Sequence, residues 1–417
     1  MDKMLENCEV TPGKLILWDY FVVMMFLFTS GATFWVGSLS AAVTFILFLF
    51  VALINSMHIK QDFLIVSNSS ITFVYCIVSL CLINYAIYQP EYKDNSMIGY
   101  SVCLIGAYMI ISRYDFFYFR KLLTNVVYWL SIIGIPIFAL SELSVLPTQS
   151  LLTQSGTVYT MFGIYTLGWP ELFHRYTGLW HEAGACQIIL NTVLWLHFDN
   201  IVEWTWEKGM KVKIIIIFFA SILTMSTGGY IVLMLLFLAV VLNLKIESNH
   251  KFLIFVVVFA ISVIAAILMF NSSVVQNKLF DAEGEHVSKL ERLSDINALW
   301  EMTLERPLLG YGLGSVEFWQ KSDEYGNTAC STGLLTYSAS LGVTWLLVFV
   351  FYLWKGISRF NLGKASIFLL IAVLLMQFNE KFIEYPITNI FIFQFASYLK
   401  SNSDEEFQEN QCCNSDV

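Results

Sequence analysis

Along this chain, apolar stretches alternate with short polar breaks. The stretches approach the ~20 residues a helix needs to cross the hydrocarbon of a bilayer, where no water can satisfy a bare backbone. About 12 such runs lie at roughly 15–35, 38–56, 69–88, 96–112, 122–143, 185–202, 212–226, 228–246, 251–270, 329–354, 364–380 and 386–400. The pattern predicts an all-α polytopic membrane protein, with one transmembrane bundle over residues 1–400 and a polar tail, 401–417, expected to be disordered and cytoplasmic. Most connections are short, but two segments, about 144–184 and 271–328, are long and rich in aromatics and glycines, so function is expected there.

Composition narrows the class. Hydrophobic residues make up 57% of the chain and charged residues 13%, about half the ~25% charge of soluble domains. A water-soluble enzyme is excluded. The net charge of −9 says little about partners, because it is divided between two aqueous sides. Placing the N-terminus inside puts most of the 23 basic residues, including Arg113, Arg120 and Lys121, in cytoplasmic loops. Both termini are therefore expected in the cytoplasm and both long loops on the outer face. Cys186 and Cys330, at the starts of the sixth and tenth runs, are the pair available for an outer disulfide.

The first long loop ends in HRYTGLWHEAGA, residues 174–185, which gathers two His, one Arg and one Glu beside a helix entry. Arg175 carries a planar fork suited to phosphate oxygens. Glu182 or His181 could take a proton from an attacking hydroxyl. Mutual neutralisation, or anchoring at the interface with Trp169 and Trp180, is the plainer alternative. In the second loop, Val287, Leu290, Leu293, Ile296, Leu299, Trp300 and Leu304 recur at helical spacing and predict an amphipathic helix that Pro307 ends. Gly310, Gly312 and Gly314 follow; with no βαβ context they are read as a turn whose amides can approach an anion, not as a nucleotide fingerprint. The six histidines show no zinc spacing, so no metal and no cofactor are expected. Ser226-Thr227-Gly228-Gly229 reads as a helix-to-helix turn that could border a cavity. Glu380, Lys381 and Glu384 could line the same cavity, or simply pair with one another.

In chain order, the segment RYTGLWHE, the run ending LTMSTGG, the loop helix with Arg292, then ERPLLGYGLGS and TGLLTYSASLGVTWLLVF resemble the bacterial O-antigen polymerase and O-antigen ligase superfamily. The resemblance covers roughly residues 160–355. It implies a GT-C-like membrane glycosyltransferase at the periplasmic face of the inner membrane. Such an enzyme uses undecaprenyl-pyrophosphate-linked sugars without nucleotide sugars or a metal, and involves no nucleic acid. It further implies that Arg175 and Arg292 bind the pyrophosphate, that Glu182 or His181 is the base, that Gly178, Gly310, Gly312 and Gly314 support the site, and that a chain-length regulator is a partner. Ligases carry a His-Asn pair before the glycine matching Gly342, where this chain has Ser331-Thr332-Gly333 and no histidine beyond His286. That departure favours a polymerase and leaves the base unassigned. A flippase for lipid-linked sugars is the competing class; its polar sites belong at the midplane rather than in outer loops.

Overall fold

A computed structural model describes residues 16–33, 41–58, 68–143, 148–153, 156–162, 164–168, 175–244, 288–326, 330–360 and 362–393. The ninth predicted span (251–270), Trp169, His174, the tail and the side chains of 288–292, Arg292 among them, lie outside what is described.

The predicted runs up to the eighth appear as α1 (Ile16–Thr29), α2 (Ala41–His58), α3 (Asn68–Tyr88), α4 (Ser96–Ile111), α5 (Phe116–Glu142), α6 (Ala183–Leu196), α7 (Phe198–Glu203), α8 (Met210–Leu223) and α9 (Thr227–Asn243). The later part gives α10 (Ser288–Glu305), α11 (Val316–Glu324), α12 (Gly333–Ile357) and α13 (Ala365–Asn379). Ser69–Tyr88, Phe116–Glu142 and Gly333–Phe360 are long and apolar enough to cross a membrane, and six further apolar helices are shorter. The protein is a helical membrane protein. Its apolar residues cannot all be buried inside: Phe50, Trp129 and Phe351 are more than half exposed, as side chains facing lipid are. Helix α6 is buried on every residue, so it is the central post of the bundle. Elsewhere small residues let helices close up. Gly99 and Gly106 on α4 leave room for the rings of Phe45 and Phe48 on α2.

Three features depart from the pattern. The all-α expectation fails in the first long loop, where β1 (Gln149–Thr153), β2 (Gly156–Met161) and β3 (Tyr165–Gly168) form an antiparallel meander in the order β1-β2-β3. Its β-branched and aromatic residues, Thr157, Val158, Tyr159 and Thr160, carry the strand signal. The sixth run, expected as one helix over 185–202, breaks at His197 into α6 and α7. The His197 ring is held there between Thr124 Oγ1 (2.8 Å) and Asn200 Oδ1 (3.0 Å). The tenth run breaks inside α12 at Gly342 (φ 81°, ψ 169°). The turn after α10 wedges into that break: the amides of Tyr311 and Gly312 donate to the carbonyls of Ala339 (3.0 Å) and Ser340 (2.7 Å), and Val343 donates to Pro307 (2.7 Å). Irregular backbone in a membrane bundle survives only when protein or water satisfies it, as this turn does.

Helix α10 matches the predicted extent, but its packed face is Asp295, Ala298, Leu299, Met302 and Thr303. Leu293, Trp300 and Leu304, expected on the buried stripe, are about half exposed. The reason is polar. Buried Asp295 accepts from the amide (2.9 Å) and hydroxyl (2.6 Å) of Ser331, which rotates the helix toward the start of α12.

Candidate functional site

Both long loops sit at one end of the bundle, here the loop end. The close of the first loop is stitched to α1 and α8: Thr33 donates to the Leu179 carbonyl (2.8 Å), Trp180 Nε1 to that of Ser30 (3.0 Å), and the Tyr176 amide to that of Leu223 (3.0 Å). Gly178 adopts φ +60° and its carbonyl accepts from Thr166 in β3 (2.8 Å). These bonds place half-buried Arg175 over the α8–α9 turn, where Nε and Nη2 donate to the carbonyls of Thr224 and Met225, each at 3.3 Å. His181 and Glu182 follow, both half-buried. Glu182 is the N-cap of α6 in an extended conformation, yet its side chain makes no capping bond.

The centre of the loop end is the tripeptide Asn379-Glu380-Lys381 at the close of α13. Three helices begin against it, each with a glycine in its first turn. An added Cβ on Gly184 of α6 would overlap the Glu380 carboxylate, and one on Gly228 of α9 would overlap the Asn379 amide. On Gly333 of α12 it would come within 2.5 Å of the Glu380 carbonyl and 3.2 Å of the Lys381 Cα. Three helix N-termini, each with unsatisfied amides and the positive end of a helix dipole, therefore converge on three residues. Ser226 caps α9 by accepting from the Gly229 amide (3.3 Å). Thr332, the N-cap of α12, makes no such bond. Next along the chain, Glu384 accepts from the Tyr337 hydroxyl (3.2 Å). Burial, then the charge of Glu384, with smaller contributions from Cys103 and Glu182, push the Tyr385 hydroxyl well above the usual phenol range. Glu182, Glu384 and Tyr385 thus share one electrostatic neighbourhood. The expected pairing of Lys381 with Glu380 or Glu384 is not found among the described residues, where Lys381 instead lies 6.0 Å from the Trp319 ring centre, which Lys93 approaches to 5.0 Å.

The glycine turn of the second loop is a packing device. Gly310, Gly312 and Gly314 all have positive φ (63°, 95° and 77°). A Cβ on Gly310 would strike the Ser340 backbone, and one on Gly314 the Asp94 carboxylate. The amides of Gly310, Tyr311 and Gly312 donate to Arg306, Ala339 and Ser340, so these three are not available to an anion. Arg306 is likewise committed: it forms a two-pronged ion pair with Glu317 and lies over the rings of Tyr88 (4.8 Å) and Tyr311 (4.4 Å). Cys186 and Cys330 are both buried free thiols. No cluster of metal-ligating residues occurs among the described residues.

The tripeptide was visible in the sequence only as a charged spot near the end of a span. Its three glycine partners lie between 46 and about 200 residues away, so no local pattern reports them. What the three share is position, a glycine first or second in each of three helices, which shows only once the helix starts are known.

Taken together, the fold and this cluster define a helical membrane protein with a polar site built from helix N-termini at one end of the bundle. Residues 213–329, under half of the chain, match the Wzy_C family, described as O-antigen ligase. Members of that family are enzymes that act on lipid-linked oligosaccharides. The matched segment runs from α8 through α11 and includes Arg292 and the glycine turn, whereas Arg175, Glu182 and Glu380 lie outside it. No curated protein matches the chain.

Proposed function

We propose that this protein polymerises undecaprenyl-pyrophosphate-linked repeat units into O-antigen, as a Wzy-type glycosyltransferase of the inner membrane with the loop end facing the periplasm. The observation that supports it best is the convergence of three helix N-termini, beside the Arg175-bearing segment, at one end of a bundle whose residues 213–329 match the family. The donor's leaving group is a lipid pyrophosphate. Helix N-termini and guanidinium groups bind such charge and stabilise what develops as the glycosidic bond breaks. In this reading Arg175 and Arg292 hold the pyrophosphate, and a carboxylate takes the proton of the attacking sugar hydroxyl in an inverting displacement. Gly178, Gly310, Gly312 and Gly314 fix the loops, and a chain-length regulator is the expected partner. The lack of a histidine after His286 favours polymerase over ligase, because the ligase His-Asn pair has no counterpart here.

The test is the lipopolysaccharide ladder of a host from which this gene is deleted. A polymerase leaves a single-repeat band that the wild-type gene converts back to many rungs. Loss of every repeat from the lipid A core indicates a ligase. The same loss, with lipid-linked units confined to the inner leaflet, indicates a flippase.

A further inference from the structure

Resting on that glycosyl-transfer reading, we infer that Glu380 is the catalytic base. Its carboxylate is seated against Gly184 in the first turn of α6, two residues from Glu182, in a space that exists only because Gly184 has no Cβ. The residues on either side of it are fixed as well: Asn379 packs on Gly228 at the start of α9, and the backbone of Glu380 and Lys381 on Gly333 at the start of α12. A carboxylate whose chain neighbours are each locked to a different helix is held to one position, as a proton acceptor must be.

A second observation points to a ligand at this place. The Thr332 hydroxyl, the Gln377 carbonyl oxygen and the Gln187 amide nitrogen are buried, on residues at most 3% exposed, and have no hydrogen-bond partner. Thr332 immediately precedes Gly333, Gln377 lies three residues before Glu380 with its backbone carbonyl also against Gly333, and Gln187 packs on Gly229 beside Gly228. Buried donors and acceptors are normally satisfied. Three unsatisfied ones on residues that adjoin the Asn379–Lys381 tripeptide and its glycine contacts suit a ligand dense in hydroxyls, which is what a sugar presents.

The step balances without a metal. The acceptor hydroxyl loses its proton to Glu380 as its oxygen bonds to the donor's anomeric carbon. The bond from that carbon to the pyrophosphate oxygen breaks, and the electron pair leaves with the lipid pyrophosphate. Glu182, which makes no capping bond at the same helix start, remains a charged neighbour that keeps the acceptor's polar face oriented.

The test uses the full-length protein in lipid nanodiscs, with the lipid-linked units that accumulate in the deletion host as substrate. Glu380→Gln should lower kcat by roughly 100-fold or more while KM stays within about threefold. Glu380→Asp should retain partial kcat with a displaced acid limb in its pH–rate profile. Gly184→Ala, in which the new methyl occupies the carboxylate's seat, should lower kcat per folded molecule, with some loss of thermal stability from overpacking the seat. Wild-type kcat in Glu380→Gln, or an effect on KM alone, overturns the assignment and leaves the glycosyl-transfer reading intact. Should Glu380→Gln fail to fold, wild-type kcat and pH profile in both Glu380→Asp and Gly184→Ala overturn it equally. A wild-type protein that joins no lipid-linked units, to each other or to lipid A core, overturns both.

Discussion

The two ends of the bundle solve the problem of bringing distant segments together in opposite ways. At the end remote from the long loops, charge does it. Arg120, 8% exposed, donates to both carboxylate oxygens of Asp199 (2.9 and 3.0 Å) and to the Leu196 carbonyl (3.1 Å), and its guanidinium lies over the rings of Phe116 and Phe117. Lys121 pairs with Glu207 (2.7 Å) and Lys213 donates to Asn125 (2.5 Å). At the loop end the central contacts are made by removing side chains: glycines at 184, 228 and 333 admit the tripeptide Asn379-Glu380-Lys381. Ion pairs used on the fold itself are closed to a substrate. A seat cut out by glycine holds a carboxylate in place by shape.

Substitutions that strike each end should separate stability from activity. The largest effect is expected from Arg175→Ala, which should reduce the polymer ladder by 100-fold or more, the size of removing one stabiliser of developing charge. Arg175→Lys should recover only a fraction of it, because an ammonium lacks the planar fork. An unchanged ladder would remove Arg175 from the site. Next, Gly310→Ala places a methyl against the Ser340 backbone at a φ of +63°, and should destabilise by about 3 kcal/mol or more, read as loss of folded protein in detergent.

Arg120→Ala should lower stability by about 2 kcal/mol: a buried pair loses a partner, but Asp199 is 45% exposed and can rehydrate. Ladder length per folded molecule should not change. Gly209→Ala tests the backbone alone at that end, since φ is +79° with nothing within 4 Å, and should cost about 1 kcal/mol.

The smallest effect is pH-dependent. In the second loop the hydroxyls of Tyr311 and Tyr325, followed by Lys321, hold the Glu305 carboxyl below its usual range. A depressed carboxyl contributes stability above its unfolded value, and that contribution fades as pH falls through the folded one. The Tm difference between wild type and Glu305→Gln should therefore be present at neutral pH and shrink on acidification below the normal carboxylate range. A gap that widens in acid would show that the tyrosines do not bind the ionised form.

Much of the scaffold was legible because it rests on local rules. The apolar runs become α1 to α6, α8, α9, α12 and α13 where they are described, since a backbone in lipid has few alternatives to a helix, while the twelfth run opens as a 3-10 helix at Pro386–Asn389. The extent of α10 followed from its spacing, but its orientation did not: one buried carboxylate, Asp295, outweighed the stripe containing Leu293, Trp300 and Leu304. The meander at 149–168 was missed because hydropathy over a long window averages away the alternation of a short strand.

Of the candidate site, the sequence picked out Arg175, Glu182 and the glycines of the second loop from residue type and neighbours alone. It could not show that the amides of Gly310 and Gly312 are already bonded, or that Gly342 breaks a helix to receive them. Composition and periodicity thus determined the class of molecule and most of its apolar helices, because those depend on how each segment meets lipid or water. Tertiary structure alone decided that Gly184, Gly228 and Gly333 open onto Asn379, Glu380 and Lys381. That meeting depends on close packing between segments far apart in the chain, and a missing methyl group has meaning only once the atom that fills its place is known.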